Sequence, residues 1–253
     1  MKALRNKDGE TFQVEWTPPI IPDADLYVRF HGLVDCGIPT EELSYLFDTR
    51  YLQPFLYYFA RTSHAKTIVE IGAGRGGSFL PLLKAASEMG GMVYSVDPGA
   101  EALGYERAIT KRYGLEAFHE PREMTSDDFF AANNWPIDFA FVDGNHRCDF
   151  VMRDARNIMD RLVPGGYVVF HEYDVPLIPP NKDIPEDWKD DELYQDGCDY
   201  GTPRALHKVL GYYDVDVMPL DFGCCGLDRV SEWTEAGAII VRKRRANEFR
   251  VKG

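Results

Sequence analysis

TIVEIGAGRGGSF, residues Thr67–Phe79, passes from an apolar run carrying one acid (Glu70) through a glycine-rich turn into a helix start. A turn of this kind, at the carboxyl end of the first strand of an α/β sheet, is built to grip a nucleotide-type cofactor. Glycines let the backbone approach the ligand, and the helix that follows offers N–H groups at its N-terminus. Two readings stay open at this point, because Gly72, Gly74 and Gly77 also satisfy G-x-G-x-x-G, the dinucleotide fingerprint.

Outward from the turn, strand and helix patterns alternate. Ser78–Met89 reads as a helix with Pro81 in its first turn, Met92–Val96 as the second strand, and Glu101–Tyr113 as a helix. Leu115–His119 reads as a short third strand and Ile137–Val142 as the fourth. A helix with Phe150, Val151, Ala155, Ile158, Met159 and Leu162 on one face comes next, then a fifth strand, Tyr167–Phe170, after the turn Pro164-Gly165-Gly166. Upstream, Leu43–Ala60 has helical spacing. Downstream, a helix at Pro203–Leu210 precedes strands at Val215–Leu220 and Ala238–Val241, the last reached without a helix and so expected to run antiparallel. The whole predicts a doubly wound, Rossmann-like α/β fold: a seven-stranded, mainly parallel sheet with an antiparallel last strand and helices on both faces. Residues 1–45, broken by Trp16-Thr17-Pro18-Pro19 and Ile21-Pro22, read as an N-terminal arm or lid. Residues 46–253 read as one domain with an acceptor-side loop at 173–203.

Composition narrows the function. A net charge of −13 argues against a nucleic-acid partner, which needs clustered Lys and Arg. The one basic run, Arg242–Arg245, reads as a solvated strand end. No stretch approaches the 18 apolar residues of a membrane span, and the start lacks a secretory h-region, so a cytoplasmic location is expected. Five cysteines, with no C-x-x-C, suggest reduced thiols rather than disulfides or zinc. The expected partner is a small-molecule acceptor; a homo-oligomer is left open.

Asp97 ends the second strand 20 residues after Gly77, where a carboxylate accepts hydrogen bonds from both ribose hydroxyls of NAD or S-adenosylmethionine alike. FAFVDGNHRCDFVMRDA (139–155) and LVPGGYVVFHEYD (162–174) each end a strand in a polar cluster, at the edge where ligands of open α/β sheets sit. On these residues, in this order, the chain over about 50–245 resembles the class I S-adenosylmethionine-dependent methyltransferases. Within them it is similar to the metal-assisted small-molecule O-methyltransferases, including the macrolide- and aminocoumarin-sugar branch and, more distantly, catechol O-methyltransferase. The resemblance implies that Glu70, Gly72, Gly74 and Ser78 surround the methionine part of the cofactor and Asp97 its ribose. It places the adenine beside Arg122-Glu123-Met124-Thr125, with Met124 as the contact carried forward. It also implies that Asp143 borders the cofactor and holds a divalent cation, Mg²⁺ or another, with His171 and Glu172. His171 departs from the family's acid. Mg²⁺ with one carboxylate fewer, a softer metal suited to imidazole, and no metal at all are three open readings.

His146 is the expected general base. The acceptor hydroxyl must lose its proton on or before attack at the sulfonium methyl, and an imidazole with an ordinary pKa of about 6.5 suits that task. It lies three residues after Asp143, where the sugar-type relatives resemble this chain in having histidine. Asn145 reads as a helix cap; His31, His64, His119 and His207 lack a matching partner. Nine acidic residues from Asp174 to Asp199, against two lysines, read as a solvated loop, with Tyr173, Trp188, Tyr194 and Tyr200 available for stacking. The expected activity is methyl transfer from S-adenosylmethionine to a hydroxyl of a glycoside, sugar or other specialised metabolite. The alternatives are an NAD-dependent oxidoreductase, for which no Tyr-x-x-x-Lys pair stands beyond the fourth strand, and a cofactor-binding homologue without catalysis.

Overall fold

The computed structural model describes residues 3–5, 11–13, 52–74, 76–171, 201–220 and 238–245. Most of the expected N-terminal arm, Glu172, and the acceptor-side loop up to residue 200 lie outside the described residues. The chain divides into two units, Met1–Ile38 and Pro39–Gly253. In the first, β1 (Ala3–Arg5) and β2 (Thr11–Gln13) pair antiparallel. The second holds all the remaining elements.

Thr67–Ile71 forms β3, buried over its last four residues, as an apolar run flanked by turns should. Met92–Asp97 is β4 and Ile137–Val142 is β6; both lie parallel to β3 on its two sides. With β5 (His119–Glu123), β7 (Leu162–His171), β8 (Val215–Leu220) and β9 (Ala238–Lys243) they form a seven-stranded sheet of order β5-β4-β3-β6-β7-β9-β8. β9 lies between β7 and β8 and is antiparallel to both.

Helices α1 (Gln53–Thr62), α2 (Phe79–Met89), α3 (Ala100–Tyr113), α4 (Ser126–Ala132), α5 (Cys148–Arg161) and α6 (Gly201–Leu210) connect and cover the strands. Successive strand side chains alternate between faces. Val69, Ile71, Ala140, Val142, Val168, Phe170, Ile239 and Val241 therefore share one core with Val151, Ala155 and Ile158 of α5 and Leu206 and Val209 of α6. Ile68, Phe139, Phe141 and Val169, equally buried, face the opposite side.

Three local differences from the sequence reading have physical causes. The third strand is not Leu115–His119: Glu116–Phe118 is a 3₁₀ turn after the left-handed cap Gly114, and β5 begins at His119. Its sequence, HEPRE, is polar because it is the sheet's edge, where Pro121 costs no ladder bond on the open side. Helix α4 was not anticipated, although Thr125 caps it by accepting from the Asp128 N–H at 3.2 Å. Leu162 belongs to β7 rather than α5, and the Pro164-Gly165-Gly166 turn is absorbed in that strand as a shift of register opposite Ile137–Phe139.

Candidate functional site

In a parallel sheet the strand ends at one edge are neighbours, and here five of them carry the polar residues singled out in the sequence. The turn after β3 is fixed first. The Gly72 N–H donates to the Val96 carbonyl (3.0 Å), and the Asp143 N–H donates to the Ile71 carbonyl (2.8 Å), so β3 is tied to β4 and β6. Gly72, at φ +88°, presses so closely on Asp143 that a Cβ would stand 2.3 Å from the Asp143 carbonyl oxygen. Gly74, at φ +52°, has open space where a Cβ would point, at the end of β3.

Asp97 closes the other side of the turn. Its Oδ2 accepts from the Ala73 N–H at 3.0 Å and its Oδ1 from the Gly99 N–H at 2.7 Å. The side chain is half-buried. Met124 sits one residue past β5, half-buried against the core. Glu70 and Ser78 are buried: the Ser78 hydroxyl donates to Glu70 Oε1 at 2.6 Å and the Ser95 hydroxyl to Oε2 at 3.0 Å. Glu70 therefore braces the turn from behind.

Beyond β6, Asp143 receives two imidazoles on one oxygen. His146 Nε2 lies 3.2 Å from Oδ1 and His171 Nδ1 lies 2.8 Å from the same atom. Burial alone would raise the Asp143 carboxyl, but the hydrogen bonds and charge of His146 and His171 outweigh it and hold the group well below the usual carboxylate range. Exposure grades the three: the His171 side chain is 6% exposed, Asp143 22% and His146 32%. His171 thus holds the carboxylate from the enclosed side and His146 from the more open side. The Asn145 side chain accepts from the Arg147 N–H at 3.0 Å, just ahead of α5.

Asp143 and His171, two of the three residues expected to hold a cation, are in contact, and His146 shares the same carboxylate oxygen. Among the described residues no group of three His, Cys, Asp or Glu is placed to hold a metal ion. Glu172 lies outside them.

One feature was read differently from sequence: His119, expected to lack a partner, has its Nε2 3.1 Å from Glu106 Oε2. Arg242–Arg245 lie at the end of β9, where Arg244 reaches the exposed Asp214 (3.1 Å) and Asp216 (2.6 Å), and Arg242 reaches Asp216 (3.5 Å). Among the described residues no helix is long and apolar enough to cross a membrane.

The family model described as "Methyltransferase domain" matches residues 69–173. No curated protein matches the chain by sequence. Among solved structures, the O-methyltransferase TomG of Streptomyces achromogenes, involved in tomaymycin synthesis and solved with S-adenosylmethionine, is 16% identical. It matches over 92% of both chains at a TM-score of 0.58. An O-methyltransferase of Bacillus cereus bound to S-adenosylhomocysteine is 14% identical over 90% of this chain and 92% of that one (TM-score 0.54). An rRNA methylase of Streptococcus thermophilus is 18% identical over 77% of this chain and 95% of that one (TM-score 0.52). Identities this low establish the fold and leave the acceptor to the site's own chemistry. Residues 69–173 thus match the model of a methyltransferase domain, and the chain has the Rossmann-like fold seen in these methyltransferase structures.

Proposed function

We propose that the protein transfers a methyl group from S-adenosylmethionine to a hydroxyl of a small molecule, with His146 as the base. The observation that carries this reading is the coupling of two parts at Asp143. Its backbone packs on Gly72 of the cofactor turn, and its carboxylate holds His146. Cofactor turn and base are thereby referenced to one residue, which in-line transfer requires.

When bound, S-adenosylmethionine supplies an electrophilic methyl on a positively charged sulfur. The chain's residues do the rest. Asp97 offers carboxylate oxygens to a ribose diol, and the open side of Gly74 admits the ligand backbone-close. His146 would take the proton of the acceptor hydroxyl, which frees the oxygen to accept the methyl group that the cofactor would supply. Asp143, ionised at neutral pH, balances the imidazolium that results, and His171 keeps Asp143 aimed. A net charge of −13 disfavours an RNA acceptor. No Tyr-x-x-x-Lys pair stands beyond the fourth strand to serve NAD chemistry.

His146→Ala tests the assignment. Turnover should fall by about two orders of magnitude or more, while S-adenosylhomocysteine affinity stays within a few-fold. Turnover at the wild-type rate would remove His146 as base. Calorimetric titration with S-adenosylhomocysteine and, separately, NAD⁺ tests the cofactor: binding of NAD⁺ alone would overturn the proposal.

A further inference from the structure

The first residue of helix α1 reaches the cofactor turn. Gln53 is buried, and its side-chain Nε2 donates to the Gly77 carbonyl at 2.9 Å, across 24 positions of the chain. Gly77 immediately precedes Ser78, the N-cap of α2, whose hydroxyl donates to Glu70. The backbone gives the Gly77 carbonyl a particular need for that amide. Helical bonding at the start of α2 already reaches back to Gly76, whose carbonyl accepts from the Leu80 N–H at 3.3 Å. The next N–H in that register belongs to residue 81, which is proline and has none.

A backbone carbonyl drawn away from water without a donor is costly. Here the Gln53 amide takes the place of the missing N–H, so the carbonyl is tied to α1 instead of to its own helix. The same two helices are joined a second time. The Tyr57 hydroxyl donates to Glu88 Oε2 at 2.6 Å, and Arg61 pairs with that oxygen at 3.2 Å. Glu88 lies in the last turn of α2, at the end away from the glycines, so this second tie docks the helices without touching the turn. Gln53 acts at the other end, on the turn itself.

We propose that Gln53 is a positioning residue for the cofactor: its amide stands in for the N–H that Pro81 lacks, fixes the Gly77 peptide, and so sets the turn that receives the methionine end of S-adenosylmethionine. This rests on the cofactor reading above. Gln53 and Pro81 are then two halves of one device, the proline freeing the carbonyl from its own helix and the glutamine claiming it.

The test is calorimetric titration of the full chain with S-adenosylhomocysteine, with thermal unfolding alongside. The set is wild type, Gln53→Met, Pro81→Ala, the double variant Gln53→Met/Pro81→Ala, and Tyr57→Phe. Methionine matches glutamine in length and donates nothing, so Gln53→Met should bind about tenfold more weakly than wild type, or worse. Alanine at 81 restores a backbone N–H, so the double variant should bind within about threefold of Pro81→Ala. Tyr57→Phe loosens the same helix pair away from the turn and should bind within about threefold of wild type, whatever its Tm. A merely structural role would lower the Tm of Gln53→Met and leave its affinity level with that of Tyr57→Phe, and that result would overturn the proposal. So would a double variant that falls as far below Pro81→Ala as Gln53→Met falls below wild type. If Gln53→Met does not fold, the double variant decides: folding and binding as tightly as Pro81→Ala upholds the proposal, and failure on either count overturns it. Wild type that binds no S-adenosylhomocysteine would instead refute the cofactor reading, and the proposal with it.

Discussion

Replacing Gly72 by alanine probes the contact on which the site is built. The added Cβ would stand 2.3 Å from the Asp143 carbonyl oxygen, 2.7 Å from its carbonyl carbon and 2.9 Å from Gly144 Cα. All three are backbone atoms, which cannot swing aside as a side-chain tip would. The φ of +88° is a second cost, since an L residue pays about 1–2 kcal/mol in the left-handed region. Overpacking against fixed neighbours adds about 1–3 kcal/mol. The sum, about 2–5 kcal/mol, is a large share of the stability of an ordinary domain. Gly74→Ala is the internal control: its φ is +52° but nothing lies within 4 Å of the new methyl, so only the backbone term of about 1–2 kcal/mol applies. In urea unfolding, Gly72→Ala should shift the midpoint markedly and Gly74→Ala slightly, with unchanged slopes. Ligand binding should separate them the other way. The Gly74→Ala methyl enters the space a cofactor would use, so it should weaken S-adenosylhomocysteine about tenfold or more. Equal stability losses for the two variants would refute the reasoning about Asp143, and unimpaired ligand binding by Gly74→Ala would show that the space beside Gly74 is not the cofactor's.

Three further outcomes are expected. Asp97→Asn should weaken S-adenosylhomocysteine binding and cost about 1–3 kcal/mol of stability. Both Asp97 oxygens accept from backbone N–H groups, and an amide can satisfy only one; wild-type binding and stability would show that the turn does not depend on the carboxylate. Burial raises both Glu70 and Glu106, the latter from 4.5 to about 8, so the folded chain holds protons that the unfolded chain has released. Stability should therefore fall as pH rises above 4.5, Glu106 contributing a slope of up to about 1.4 kcal/mol per pH unit until about 8. Glu106→Gln should flatten that part of the curve in pH-dependent denaturant unfolding, and an unchanged slope would put the proton elsewhere. Turnover should persist in EDTA, because His146 is held by a carboxylate; loss of activity restored by a divalent cation would make Asp143 a ligand instead.

The central strands were legible because burial on both faces writes a continuous apolar run. Thr67–Ile71 and Ile137–Val142 have the expected bounds. The edge was not, since HEPRE has one open side and no apolar signature, and the nearby Leu115 and Phe118 drew the strand upstream. Helix α4 did have a local signal, Thr125 followed by Asp128, but it is short and lies between two strands. At the site, the spacing of Asp143 and His146 in sequence foreshadowed their contact, because three residues can be spanned locally. The sharing of one oxygen by His146 and His171 could not be foreseen: it depends on the register of β7 against β6. Glu106 was invisible for the same reason, as only the rotation of α3 turns a helix acid inward to His119 of β5.

The place of β9 has a consequence for how the chain is made. β9, the last strand in chain order, inserts between β7 and β8, so neither of those strands has its final neighbour until Ala238–Lys243 arrives. A growing chain on the ribosome would carry β7 as an open edge, with His171 already at its tip, and β8 with no strand to join it to the sheet. The Asp143–His171 contact would be assembled while its supporting strand was still missing. Nonsense or frameshift truncation ahead of Ala238 would therefore do more than trim an end. It would leave two unsealed edges, the template for pairing with other chains, and such products should be found in aggregates or degraded rather than as partially active enzyme.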